Sequence, residues 1–317
     1  MIRPLIVLGV SRSGTTLLRV MLDRSPGIAI PDESFFIPLL ARRHGRTVEP
    51  KPFLDDLSRI PNLRAWGVSP EDVSPRLRSG MKTGEAISAI FECYATKSGK
   101  PRWGDKTPMY MRHLSLLEEL FPDAQYVHLI RDGRDAALSF LEMPEGTFTR
   151  TWAHPGDAAQ FACLWRNEVG DARVLGQRVG PGRYLEVRYE DLVTATLQVV
   201  ESICDFASLP FEPGMAEYPG VVDVSEKPHQ QRLLHPPTAG LRSWRRDMSP
   251  GEVVAFENIA GGLLAQLDYE LLDPPPHSPT ARARAVLAWY GARLAAWNVT
   301  ASVQQRSPLW RRRHPRL

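Results

Sequence analysis

The sequence predicts an α/β fold, a three-layer sandwich in which a central parallel sheet is flanked by helices. Three observations carry this expectation. Pro4 to Leu8 is an apolar run with no polar interruption, as a strand covered on both faces requires. A turn holding Gly9 and Gly14 follows, and then Leu17, Leu18, Met21 and Leu22, whose i, i+1, i+4, i+5 spacing makes one apolar helix face. The order strand, polar turn, helix returns at Gln125 to Ile130, Arg131 to Asp135 and Ala136 to Leu141. Strands that alternate with helices imply parallel strands joined by crossovers.

The remaining elements follow in order. Pro26 and Gly27 mark a turn, Ile28 to Ile30 reads as a short strand, and Pro31 to Ser34 as the loop at its end, where open α/β sheets carry their ligand groups. Ser34 can cap a helix through Phe35, Phe36, Leu39 and Leu40. Residues 44–104 read as a substrate-side insertion, with short helices up to 80 and a helix from Ala86 to Tyr94. Trp103 to Pro108 is a polar loop opening a helix with Met111, Leu114, Leu117 and Leu120. Phe161 to Val179 is helical, Tyr184 to Tyr189 alternates like a strand, and Thr194 to Leu209 is again helical. The Pro-rich stretch 210–243 is irregular, and Gly251 to Leu267 closes a domain spanning 1–273. Residues 274–317 carry eight Arg and no acidic residue and form a basic C-terminal helix or tail. It could serve a peripheral membrane contact or an oligomer contact, although Arg282 and Arg293 share a side with Val286 and Trp297.

Composition narrows the function classes. A net charge of +3 over 317 residues does not argue for nucleic acid as a partner. The three cysteines, Cys93, Cys163 and Cys204, are far apart, so neither a disulfide framework nor a zinc site is expected, and buried thiols in a reducing compartment are. The first apolar run is too short for a secretory signal and is needed as a strand, and no run reaches spanning length, so a cytoplasmic protein is expected.

Gly9 to Thr16 nearly matches the phosphate-binding pattern G-x-x-x-x-G-K-[ST], with Thr15 where that pattern has Lys. Backbone N–H groups at a helix start lack intrahelical partners, and the helix dipole adds positive potential, so the turn suits an oxyanion. The missing Lys, which would reach the β- and γ-phosphates, points to a phosphate ester without a triphosphate tail. Arg12 supplies a cation from inside the loop instead. The fold is thus P-loop-like. Glu33, Lys106, and Arg131 with Ser139 fall at the same predicted sheet edge as this loop.

These motifs resemble the sulfotransferases that use 3′-phosphoadenosine-5′-phosphosulfate (PAPS), and most of all the bacterial branch similar to tyrosylprotein sulfotransferases. The resemblance covers about residues 1–270. It implies that Arg12, Ser13, Gly14, Thr15 and Thr16 bind the 5′-phosphosulfate, and that Arg131 and Ser139, eight residues apart, bind the 3′-phosphate. It implies Glu33 as general base, with Asp32 as competing neighbour; His113 and His128 are alternatives of the type used by cytosolic relatives, and His128 lies inside a strand. Lys106 resembles a lysine that contacts the phosphosulfate, and an ion pair with Asp105 is the alternative. Tyr189 lies near the nucleotide or is structural, and Arg232, Arg242 and Trp244 fall where relatives close a loop over it. Met143 stands where tyrosylprotein enzymes have a further Arg.

The expected activity is in-line transfer of a sulfuryl group from PAPS, as cosubstrate and without a metal, to a hydroxyl of a small-molecule, glycan or lipid acceptor. Glu33 would be the base, with Lys106 and Arg12 stabilising the leaving phosphate. The alternatives are a P-loop kinase or NTPase and a non-catalytic nucleotide-binding module.

Overall fold

The computed structural model describes residues 3–143, 154–217, 243–272 and 280–306. Leu5–Leu8 is β1, with all four residues buried. Thr15–Asp23 is α1 and Ile37–His44 is α2. Thr47–Val48 forms β2, followed by three short helices, Pro50–Leu57 (α3), Pro61–Ala65 (α4) and Pro70–Val73 (α5). Each of the three carries Pro in its first turn, where a missing N–H costs nothing. Met81–Lys82 is β3, pairing antiparallel with β2, and Thr83–Lys97 is α6. Gly104–Lys106 is β4, Leu114–Leu120 is α7 and Gln125–Ile130 is β5. Then come Gly133–Leu141 (α8), Ala158–Val179 (α9), Tyr184–Arg188 (β6), Tyr189–Thr194 (α10) and Thr196–Ala207 (α11). Trp244–Asp247 (α12), Pro250–Gln266 (α13) and Ala281–Arg306 (α14) complete the described elements.

The central sheet has the order β4-β1-β5-β6 and is parallel throughout. From β1 the chain moves outward to β4, then crosses back over β1 to β5. The carboxyl end of β1 is therefore the point where strand order reverses, and crossovers leave a crevice there. Side chains alternate across the sheet. Ile6, Leu8, Tyr126 and Ile130 face one core, which α2, α6, α8, α9 and α13 cover. Leu5, Val7, Val127 and Leu129 face a second core, closed by α1 and α11. This is the predicted three-layer sandwich. All three cysteines are buried thiols. His128 is enclosed in β5, its Nδ1 2.6 Å from the Tyr184 hydroxyl, and burial pushes its pKa down to about 3. It is a structural histidine.

Three element expectations need correction. Ser34 caps no helix: α2 begins at Ile37, after Phe36, with no side-chain cap, and the Ser34 hydroxyl lies against Tyr110 and Thr107 instead. Ile28 to Ile30 forms no strand of its own; Ala29 makes a single parallel bridge to Trp103. Trp103 to Pro108 is not a loop, because Gly104–Lys106 is a sheet strand beside β1. The sequence hides it because Gly104, Asp105 and Lys106 carry no apolar alternation. Gly104 is used for its lack of a side chain, since a Cβ there would lie 2.7 Å from the Leu5 carbonyl oxygen. The helix expected next begins with a 3-10 turn, Pro108–Arg112, before α7.

α14 packs its stripe of Ala283, Val286, Leu287, Tyr290 and Leu294 on the main core. Arg293 lies within that packed face, donating from Nη2 to the His154 carbonyl at 2.9 Å and to Gln160 Oε1 at 2.7 Å. That accounts for the mixed faces read from the sequence. No described helix is long and apolar enough to cross a membrane.

Gly9 tests the close fit behind the first turn. A Cβ there would meet the Leu129 carbonyl oxygen at 2.8 Å and Thr15 Cγ2 at 2.6 Å. Gly9→Ala is expected to cost about 1–3 kcal/mol, the range for overpacking, read as a lower urea midpoint at unchanged slope. An unchanged midpoint would show that β1 and β5 can part there freely.

Candidate functional site

The turn from β1 to α1 is compact. Ser13 N donates to the Val10 carbonyl at 3.0 Å, and Arg12 and Gly14 both adopt left-handed backbone, at φ 74° and 91°. Gly14 serves the αL position without cost, whereas Arg12 stores roughly 1–2 kcal/mol of strain. A Cβ on Gly14 would also strike the Tyr189 ring at 2.4 Å, so that ring packs directly on the turn. α1 has no acidic residue in its first turn, and no side chain caps it. Its first N–H groups and dipole therefore present positive potential at the crevice. Ser13 Oγ is buried there without a partner.

On the β5 side, Arg131 follows the strand end and Ser139 lies two turns along α8. Arg12 joins them: its Nε donates to Ser139 Oγ at 3.0 Å, and its carbonyl accepts from Arg131 Nη1 at 3.2 Å. The Arg131 guanidinium lies 4.7 Å from the centre of the Tyr189 ring, and its Nε is buried without a partner. Arg134, the second arginine of this turn, is consumed internally. It is fully buried, bonds both Asp132 oxygens at 3.0 and 2.7 Å, and reaches Glu257 Oε1 at 2.5 Å. It also stacks 3.8 Å over Trp244, whose backbone N–H donates to Asp135 Oδ1 at 2.8 Å. Burial raises the Asp135 pKa to about 6. Sequence reasoning missed this brace of Asp132, Arg134 and Glu257. The density of charge in Arg131 to Asp135 was its only local signal.

On the β4 side, Lys106 Nζ donates to Thr16 Oγ1 at 3.0 Å and pairs with Glu33 Oε1 at 2.5 Å. Lys106 is 1% exposed, and burial lowers its pKa against the opposing pull of Glu33. Its partner is thus Glu33 and not the adjacent Asp105. Asp32 is drawn away to Arg19, with Nη2 to Oδ1 at 3.2 Å. The two neighbouring carboxylates are therefore separated: Glu33 faces the turn, and Asp32 faces a buried arginine. Burial lowers the pKa of His113. The two clusters share the β1–α1 turn, one through Arg12 and the other through Thr16. Met143, one turn after Ser139, is buried at the end of α8. Arg232 and Arg242 lie outside the described residues.

Asp105 stands behind Lys106, fully buried, with Oδ2 unpartnered, and burial lifts its pKa to about 7. A carboxyl whose folded pKa is raised binds its proton more tightly when folded, so its contribution to stability falls as pH rises from about 4 to about 7. Asp105→Asn removes that dependence. Its melting temperature relative to the parent is expected to improve between about pH 4 and about pH 7 and to level off above that, and a pH-independent difference would contradict the buried carboxyl.

The comparisons with known proteins bear on the family and the fold. Residues 4–213 match the model of the sulfotransferase family. The chain is 28% identical over 281 residues to protein-tyrosine sulfotransferase A of Caenorhabditis elegans, covering 85% of this chain and 68% of that protein. It is 26% identical over 284 residues to the nodulation protein NoeE of Sinorhizobium fredii, covering 83% of this chain and 65% of that one. The sulfotransferase domain from the curacin biosynthetic pathway superposes with a TM-score of 0.60 at 22% identity, over 86% of this chain and 99% of the domain, a likeness of fold. With the strand-turn-helix at its start and the paired clusters about that turn, the chain belongs to the sulfotransferase family.

Proposed function

We propose that the protein moves a sulfuryl group from PAPS to the hydroxyl of a small-molecule, glycan or lipid acceptor. The observation that carries this reading is the pair of buried polar atoms without partners, Ser13 Oγ in the turn and Arg131 Nε beside it. A buried donor left unmade is costly, so such atoms suit a ligand that supplies acceptors. The 5′-phosphosulfate would lie on the N–H groups of residues 13–16, and the 3′-phosphate by Arg131 and Ser139. Tyr189, already against Gly14 and Arg131, would flank the nucleotide.

In the transfer, the acceptor oxygen forms a bond to sulfur as the bond from sulfur to the 5′-phosphate oxygen breaks. The electron pair leaves with adenosine-3′,5′-bisphosphate, and the acceptor proton passes to Glu33. Glu33 is 27% exposed at its side chain, open enough to meet an acceptor. Lys106, held between Glu33 and Thr16, carries positive charge from the base to the turn, where negative charge grows on the leaving oxygen. Arg12 adds a second cation. Positioning and charge stabilisation suffice for this chemistry, as they do in phosphoryl transfer.

Calorimetric titration tests the donor site. Adenosine-3′,5′-bisphosphate is expected to bind tightly without Mg²⁺, and Arg131→Ala to weaken it roughly 10- to 100-fold, as loss of a charged hydrogen-bond donor does. Preference for ATP with Mg²⁺, or unchanged affinity in Arg131→Ala, would overturn the assignment. Glu33→Gln is expected to keep bisphosphate affinity and lower transfer by about 100-fold, as loss of a general base does. Full turnover in that variant would remove Glu33 from the role.

A further inference from the structure

Behind Glu33 and Lys106 lies a second set of polar side chains that the transfer does not touch. Tyr110, Ser34, Thr107 and Asp105 are each at most 2% exposed. Ser34 Oγ lies 2.8 Å from the Tyr110 hydroxyl and 3.3 Å from Thr107 Oγ1. Thr107 Oγ1 accepts from Ser34 N at 3.0 Å and donates to Asp105 Oδ1 at 3.4 Å. The Tyr110 hydroxyl accepts from Ile37 N at 3.1 Å.

Proton counting sets the direction of this chain. A hydroxyl has one hydrogen. That of Thr107 goes to Asp105; the arrangement that satisfies every contact then has Ser34 donating to Thr107 and Tyr110 donating to Ser34. Every hydrogen thus runs one way, Tyr110 to Ser34 to Thr107 to Asp105. Asp105 Oδ1 accepts when the carboxyl is ionised, and also when its proton sits on the unpartnered Oδ2.

What the chain grips is the loop that carries Glu33. Phe35 has left-handed backbone, φ 58°, which for a bulky residue is strained and persists only where the surroundings over-determine it. The backbone is held on both sides of it. The Glu33 carbonyl accepts from Asn62 Nδ2 at 2.7 Å, Ser34 N donates to Thr107, and Ile37 N, the first donor of a helix with no side-chain cap of its own, donates to Tyr110. The other end of the chain is β4 and the residue after it. Lys106 comes from the same short strand, with its side chain on the Thr16 and Glu33 side. Base and lysine are therefore referenced to one piece of backbone.

We propose that the buried Tyr110–Ser34–Thr107–Asp105 chain is a positioning device, which holds the strained turn at Phe35 and so sets Glu33 against Lys106. This rests on Glu33 being the base of the proposed transfer. All four residues are buried, so none is open to a donor or an acceptor. Their effect is on the reach of Glu33 to the acceptor hydroxyl, a distance to which general-base transfer is sensitive.

Thr107→Val keeps the shape and removes all three hydrogen bonds of the hydroxyl, to Ser34 N, Ser34 Oγ and Asp105. Tyr110→Phe removes a single hydroxyl and serves should Thr107→Val fold poorly. Each is measured for bisphosphate affinity by calorimetry, for release of bisphosphate from PAPS with 4-nitrophenol present (transfer to water included), and by crystallography. The expected result is release lowered roughly 10- to 100-fold at unchanged bisphosphate affinity, as for a slightly misplaced catalytic group. In the crystals Phe35 leaves the left-handed region and Glu33 parts from Lys106, and Thr107→Ser, which keeps the hydroxyl, restores the parent behaviour in all three readouts. Variants that keep Glu33 on Lys106, Phe35 left-handed and release at the parent rate overturn the proposal. So does a loss of bisphosphate affinity in step with release, which marks a general structural role. A parent chain that binds no bisphosphate overturns the functional reading instead, and the crystal comparison alone then judges the positioning.

Discussion

The burial of Lys106 between Glu33 and Thr16 is the interaction on which the site depends. An ammonium in a protein interior is costly unless it is paired and hydrogen-bonded. Here one group is satisfied by two elements that are far apart in sequence, the loop after Ile30 and the first turn of α1. Removing Glu33 would leave the buried ammonium with the Thr16 hydroxyl and without its ion-pair partner. The pairing lowers the number of arrangements open to the loop and aligns a carboxylate with the β1–α1 turn. It adds little to stability for the same reason that other buried ion pairs do not, because desolvation offsets much of the attraction.

The two clusters about the turn divide the work by charge. On the β4 side a lysine and a carboxylate nearly neutralise each other, which suits proton transfer. On the β5 side Arg12 and Arg131 lie together at Ser139 and Tyr189, which suits a dianionic phosphate. The region would carry too many cations if Arg134 were also turned inward. The brace to Asp132 and Glu257 prevents that and ties α13 to the start of α8. Trp244 lies over the same arginine, so α12 is docked on the helix that bears Ser139.

The topology explains why these groups meet. With β1 in the interior of the sheet and its neighbours leaving in opposite directions, the carboxyl ends of three strands surround one turn. Each end supplies one part: the turn from β1, Lys106 from β4, and Arg131 after β5. The residues that touch the turn are short-range in none of these cases; Arg12 and Ser139 are 127 positions apart and Lys106 and Thr16 are 90. A sheet that placed β4 on the far side of β5 would keep every motif intact and scatter the site.

How much of this was legible beforehand depended on whether a local rule could express it. The apolar runs at Leu5 to Leu8 and Gln125 to Ile130 announced buried parallel strands, and the glycine spacing at 9–14 announced a tight strand-to-helix turn, because strand burial and left-handed backbone restrict residue type position by position. Glu33, Lys106, Arg131 and Ser139 were legible only as motif members. β4 was not legible, since it is buried by its neighbours and not by its own composition, and its polar side chains are there to serve the site. The partner of Lys106, the fate of Arg134, the separation of Asp32 from Glu33 and the one-way chain behind Phe35 were decided by tertiary structure alone. Each is a choice between equally charged or equally polar residues, and only the distances and burial that the sheet imposes can settle which of them pair.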